Sequence, residues 1–183
     1  MKMECFLAVF LVVGVVLGTS SLATAAEVSL KDYNAVVVQD LQVPSGSPAP
    51  ESAGMQMAEK AVYQIKRYNQ SNKLFDTVVK EAGKASQESP SGKKVLIIKG
   101  EVREWTPGTV GGRVGRSFIP GVGGHVGSAY FAAHYQFIDK ESGKVIYETD
   151  LRTSSTGSND TVEYAMDRNG EALAKVITKF KGK

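Results

Sequence analysis

Cysteine is almost missing: Cys5 is the only one in 183 residues. That excludes a disulfide framework and a thiolate zinc site. Histidine is nearly as scarce, with His125 and His134 alone, so a multi-histidine metal centre is excluded as well, and no metal or cofactor is expected. Charge of one sign is also in short supply. The 22 Lys and Arg against 19 Asp and Glu leave a formal charge of +3, too small and too dispersed for the electrostatic footprint of a nucleic-acid binder. The apolar run Cys5 to Leu17 falls short of the roughly 20 residues that cross a bilayer.

That run is nonetheless informative. Lys2 precedes it, and small and polar residues follow it up to Ala23-Thr24-Ala25-Ala26, which is the plan of a secretory signal peptide. Residues 1–26 are therefore read as a signal cleaved after Ala25 or Ala26, and 27–183 as one exported domain, periplasmic or attached to the cell envelope. An uncleaved anchor is the alternative for this segment. A lipoprotein signal would place a cysteine at the cut, whereas Cys5 lies at the other end of the apolar run.

Several stretches have the periodicity of regular structure. Ala35 to Val43 is β-branched and continuous, as in a buried strand. Met55, Ala58, Val62 and Ile65 recur at three- and four-residue spacing, predicting a helix from Ser52 to Tyr68. Leu74–Lys80 is a short strand, and Val95–Trp105 a longer one that starts in the core and ends at the surface. Phe131, Ala133, Tyr135 and Phe137 share one face of a strand, with His134 on the other. Asp139–Gly143 is a hairpin loop, and Val145, Tyr147, Thr149 and Leu151 line the returning strand. Asp139, Glu141, Glu148 and Asp150 read as a solvated face. A second helix opens on Asp160-Thr161-Val162-Glu163, an acidic cap, and Asn169-Gly170 interrupts its apolar stripe. The order is β-α-β-β-(Gly-rich segment)-β-β-α, an α+β fold with a mostly antiparallel sheet and two helices on one face.

No catalytic constellation survives inspection. Ser117 lacks the second glycine of a nucleophile elbow. Gly121-x-Gly123 lacks the last glycine of a dinucleotide fingerprint, and Gly92-Lys93-Lys94 lacks most of a phosphate-binding loop. The chain is read as a non-enzyme.

Its most unusual feature is glycine. Eight of the 19 glycines fall between Gly108 and Gly127, in a segment spanning 107–128 whose other residues are mainly apolar, with Arg113 and Arg116. Gly111/Gly115 and Gly123/Gly127 have the small-xxx-small spacing that lets backbones approach closely. The two arginines suit a phosphate or carboxylate, and His125 sits in the same loop. These seven residues are the candidate binding site. A plain connection between two strands is the competing reading.

The stretches Val36–Leu41, Leu74–Val78, Arg113–Gly127 and Phe137–Ile146 together resemble the domain-of-unknown-function 4410 family of exported bacterial proteins. The resemblance implies an envelope location and brings no catalytic residues with it. Many members are lipoproteins, and this chain departs from them in lacking the cleavage-site cysteine. The element order also resembles envelope-assembly lipoproteins of the curli-secretion type. Two function classes follow. The first is a non-catalytic envelope protein that binds a protein partner or the membrane surface through the glycine-rich segment, with self-association open. The alternative is a small-molecule-binding protein or enzyme with a site beneath that segment.

Overall fold

The computed structural model describes residues 28–81, 93–109, 128–155 and 160–182. Its elements are β1 (Ala35–Val38), α1 (Ala53–Asn72), β2 (Thr77–Lys80), β3 (Val95–Thr106), β4 (Tyr130–Asp139), β5 (Val145–Ser154) and α2 (Val162–Lys181). The strands form one sheet in the order β2-β1-β3-β4-β5. β1 runs parallel to both β2 and β3 over four residues each. The long ladders β3–β4 and β4–β5 are antiparallel, so the sheet is mostly antiparallel.

Both helices cover one face. α1 packs on β1, β2 and β3, α2 on β4 and β5, and the helices touch each other. Between helices and sheet lie Val36, Ile65, Leu96, Ile98, Phe131, Tyr135, Phe137, Met166, Leu173 and Ile177, all sealed from solvent. The predicted aromatic face of β4 is thus the centre of the core, and Phe137 meets Tyr147 edge-on at 5.4 Å.

Asn169-Gly170 does not split α2. Both residues are buried inside a continuous helix. Gly170 lies against α1, where a Cβ would come within 3.1 Å of the Lys60 carbonyl oxygen, so the missing side chain lets the helices approach. Asn169 faces the sheet. It accepts a 2.7 Å hydrogen bond from the Tyr135 hydroxyl and donates 2.9 Å to the Leu151 carbonyl. The residues that look like a break are the ones that fix the helix in place.

Other local readings change for physical reasons. β1 ends at Val38 rather than Val43 because Leu41 turns into the core and gives its N–H to the Gly54 carbonyl, leaving only an isolated parallel bridge from Gln42 to Glu101. α1 extends four residues past Tyr68 and closes at Lys73, which takes a left-handed φ of 49°. Its buried stripe runs through Met57, Ala58, Ala61, Val62 and Ile65, while Met55 is 43% exposed. The cap of α2 is Thr161, whose side chain accepts from the Tyr164 N–H, not Asp160. β2 begins at Thr77, three residues later than expected. Val145 is exposed because the β4–β5 register shifts between Phe137 and Ile138.

Candidate functional site

The seven candidate residues, Gly111, Arg113, Gly115, Arg116, Gly123, His125 and Gly127, lie outside the described residues. What the structure supplies is the frame on which that segment is mounted. β3 ends at Thr106 and β4 begins at Tyr130, and these two residues pair directly. Their Cα atoms therefore stand about 5 Å apart. The 23 residues 107–129 join two adjacent antiparallel strands, a task that two to five residues commonly accomplish. The segment is a hairpin connection and not a crossover.

The frame is tightly bonded. Trp105 packs edge-on to the buried Phe131 ring at 6.2 Å. Arg152 on β5 grips Glu104 on β3 with two hydrogen bonds of 2.6 and 3.0 Å, reaching across β4 with its guanidinium 4.2 Å from the Tyr130 ring centre. Those hydrogen bonds hold the Glu104 carboxyl below its ordinary range. With Arg152 58% exposed, such a pair contributes on the order of 1 kcal/mol or less. Deeper in, the Ala129 N–H donates 2.8 Å to Ser155 Oγ, the Ser155 N–H returns 2.8 Å to the Ala129 carbonyl, and Ser155 Oγ donates 3.1 Å to Asp160. Ser128, Ser155 and Asp160 are all buried. The end of the segment is thus fixed to β5 and to the start of α2.

His134 lies on the open face of the sheet, as the alternation predicts, 3.0 Å through Nδ1 from Asp150 on β5. It borders a shallow depression of about 230 Å³ whose described lining includes Gln39, Asp40, Lys99, Glu101 and Arg103. The lining mixes both charges and contains no hydroxyl or thiol among the described residues. Asp150 is 77% exposed, so this pair has no dry environment that would sharpen acid–base chemistry. Among the described residues no group of His, Cys, Asp and Glu is arranged to hold a metal ion.

At the opposite end of the sheet lies a buried group that the sequence reading assigned to solvent. Asp139 accepts 2.8 Å from the Tyr33 hydroxyl, 2.8 Å from the Ser142 N–H and 2.9 Å from Ser142 Oγ. The Ser142 N–H, the Tyr33 hydroxyl and nearby Lys94 hold its carboxyl down at about 2, against the opposing effect of burial. Glu141, Glu148 and Asp150 remain exposed. The signal was available: Asp at the first position of a turn followed by Ser at the fourth and a glycine, here Gly143 at φ 67°, is a side-chain-bonded turn. Next to it, Leu30 donates its N–H to the Phe180 carbonyl, and Lys181 Nζ donates to the carbonyls of Lys31 and Tyr33. Burial pushes the Lys181 ammonium below its ordinary value. The chain preceding β1 is therefore strapped to the C-terminal end of α2. β3 spans 12 residues, which places this end roughly 36 Å from the root of the glycine-rich segment.

No family model and no curated protein matches the chain, so the likeness to the 4410 family rests on the quoted residues alone. The chain is similar to several solved structures. The PelC dodecamer from Paraburkholderia phytofirmans is 17% identical with a TM-score of 0.50, covering 84% of this chain and 92% of that one. A Xanthomonas campestris protein of family model DUF330 is 12% identical with a TM-score of 0.42, covering 80% and 81%. Lipoprotein GNA1162 from Neisseria meningitidis is 11% identical with a TM-score of 0.41, covering 81% and 99%. At these identities the likeness is one of fold: the chain has the α+β architecture of the PelC subunit.

Proposed function

We propose that this chain is an exported, non-catalytic protein of the bacterial cell envelope that works by association through its glycine-rich segment. Residues 1–26 serve as its signal peptide, and 27–183 form the exported domain. The observation that carries the reading is the mismatch between task and length at the β3–β4 connection. Thr106 and Tyr130 are paired neighbours, yet 23 residues rich in glycine lie between them. Ordering glycine costs more backbone entropy than ordering any other residue. Val114, Phe118, Ile119, Val122 and Val126 add apolar surface that needs burial. Contact with a partner supplies that burial, and Arg113 and Arg116 meet acidic groups at its edge.

Protein is favoured over membrane as the occupant, and a second copy of the chain is the first to test. PelC, whose subunit shares the fold, is a dodecamer. A small-molecule or catalytic site beneath the segment draws less support, because the described lining of the open-face depression is of mixed charge and carries no hydroxyl or thiol.

The test is a variant in which residues 109–127 are replaced by Asn-Gly, a turn that closes antiparallel neighbours. It should keep the circular dichroism spectrum of the parent, and light scattering on a sizing column should show the parent assembled and the variant monomeric. Retention of the parent's assembly and envelope association by the shortened chain would make the segment a mere connector.

A further inference from the structure

The strapped end of the molecule carries an unusual concentration of lysine. Lys31 precedes β1, Lys73 closes α1, Lys140 and Lys144 flank the β4–β5 turn, and Lys179 lies in the last turn of α2. All five are exposed, and none forms an ion pair among the described residues. Lys93 and Lys94 lie beside them, 3.0 Å from Asp76 and 3.9 Å from the buried Asp139. Hydrogen bonds knit the supporting elements into one surface. Lys140 donates its N–H to the Val95 carbonyl, Asn34 to the Lys94 carbonyl and Asp76 to the Asn34 carbonyl. The exposed acids here are Asp32, Asp76 and Glu141. With Lys181 the lysines here are eight, against these three acids and the buried Asp139, so this one end carries +4, more than the formal +3 of the whole chain.

Part of that charge answers the carbonyl ends of α1 and α2, which both point this way. One lysine per helix would serve for that. The second observation is where the chain comes from. Val28 is the first described residue, and Leu30 and Lys31 are bound to Phe180 and Lys181. The described chain therefore enters the molecule at the lysine end.

We infer that the lysine end is a docking surface for an anionic lipid bilayer of the cell envelope. Lysine ammonium groups near phosphate headgroups gain attraction without leaving water, and the gain is lost beyond a Debye length. With this end on the bilayer, the root of the glycine-rich segment stands roughly 36 Å off it, free to meet a protein. The inference rests on the envelope reading of the chain and on nothing about the glycine-rich segment.

Sedimentation of residues 27–183 with vesicles tests it. Vesicles of phosphatidylcholine containing about one third phosphatidylglycerol should bind the protein at about 0.05 M salt and release it at about 0.5 M. Neutralising Lys140→Gln with Lys144→Gln, or Lys31→Gln with Lys73→Gln, should weaken binding by about fivefold per lysine. The charge-matched control, Lys66→Gln with Lys99→Gln, alters exposed lysines on the outer side of α1 and on the open sheet face, about one Debye length further from the bilayer, and should cost only about twofold per lysine. All three variants should keep the parent's melting temperature, which separates lost docking from lost fold. Equal losses in pole and control variants, or equal sedimentation with pure phosphatidylcholine vesicles, would overturn the inference. The variant with 109–127 replaced should bind vesicles like the parent, so failure of lipid docking and failure of protein association are read separately.

Discussion

Tyr135→Phe removes one oxygen from the middle of the core. Tyr135 is sealed from solvent, and burial pushes its hydroxyl well above the ordinary value, so it donates to Asn169 Oδ1 at any working pH. Without it the Asn169 oxygen, also sealed, loses its 2.7 Å donor. A buried acceptor left unpaired costs about 1–3 kcal/mol. Asn169→Leu is worse: it strands the Tyr135 hydroxyl and takes the amide from the Leu151 carbonyl and from Thr153 Oγ1, for roughly 2–5 kcal/mol on the same scale. In the double variant the stranded hydroxyl is gone along with its partner. Urea unfolding of the four proteins should therefore show the double variant about 1–3 kcal/mol more stable than the sum of the single losses predicts. Additivity within about 0.5 kcal/mol would refute the claim that this pair locks α2 to β4.

Three further outcomes follow from the same physics. The depressed carboxyl of Asp139 makes its stabilising contribution above the unfolded value near 3.8 and loses it as pH falls through about 2; this is about 2 kcal/mol of acid sensitivity that Asp139→Asn should abolish in acid titrations followed by circular dichroism. Phe137→Ala empties a fully buried site and should cost about 3–5 kcal/mol in urea unfolding, whereas an effect within about 0.5 kcal/mol would place that ring outside the core. Intact mass of the exported protein should begin at Ala26 or Glu27, and recovery of the full-length chain in the membrane would mean that the apolar run is an anchor.

The fold was largely legible because its longest elements carry undivided periodicity. The aromatic alternation of β4 and the Leu96, Ile98, Val102 series of β3 have a single way to bury their faces, and that sets which side of each strand meets the helices. The glycine-rich segment was legible as an anomaly but not as a hairpin connection, because strand adjacency is a property of pairing and no local pattern encodes it. Asn169-Gly170 misled for the opposite reason. Poor helix formers in isolation, they are kept because one bonds to the sheet and the other admits α1. Asp139 was misplaced because a charged residue in a turn is ordinarily solvated, and the Tyr33 hydroxyl that buries it comes from 106 residues away.

The central claim, that the glycine-rich segment makes its contacts with another protein, is tested most directly by placing a photo-crosslinking residue at position 113 or 118 in the full chain and irradiating cells. The account predicts adducts heavier than the monomer from both positions, lost when Gly111, Gly115 and Gly123 are changed to valine in a chain that still folds. Cross-links confined to the chain itself, with none to a second protein, would contradict it.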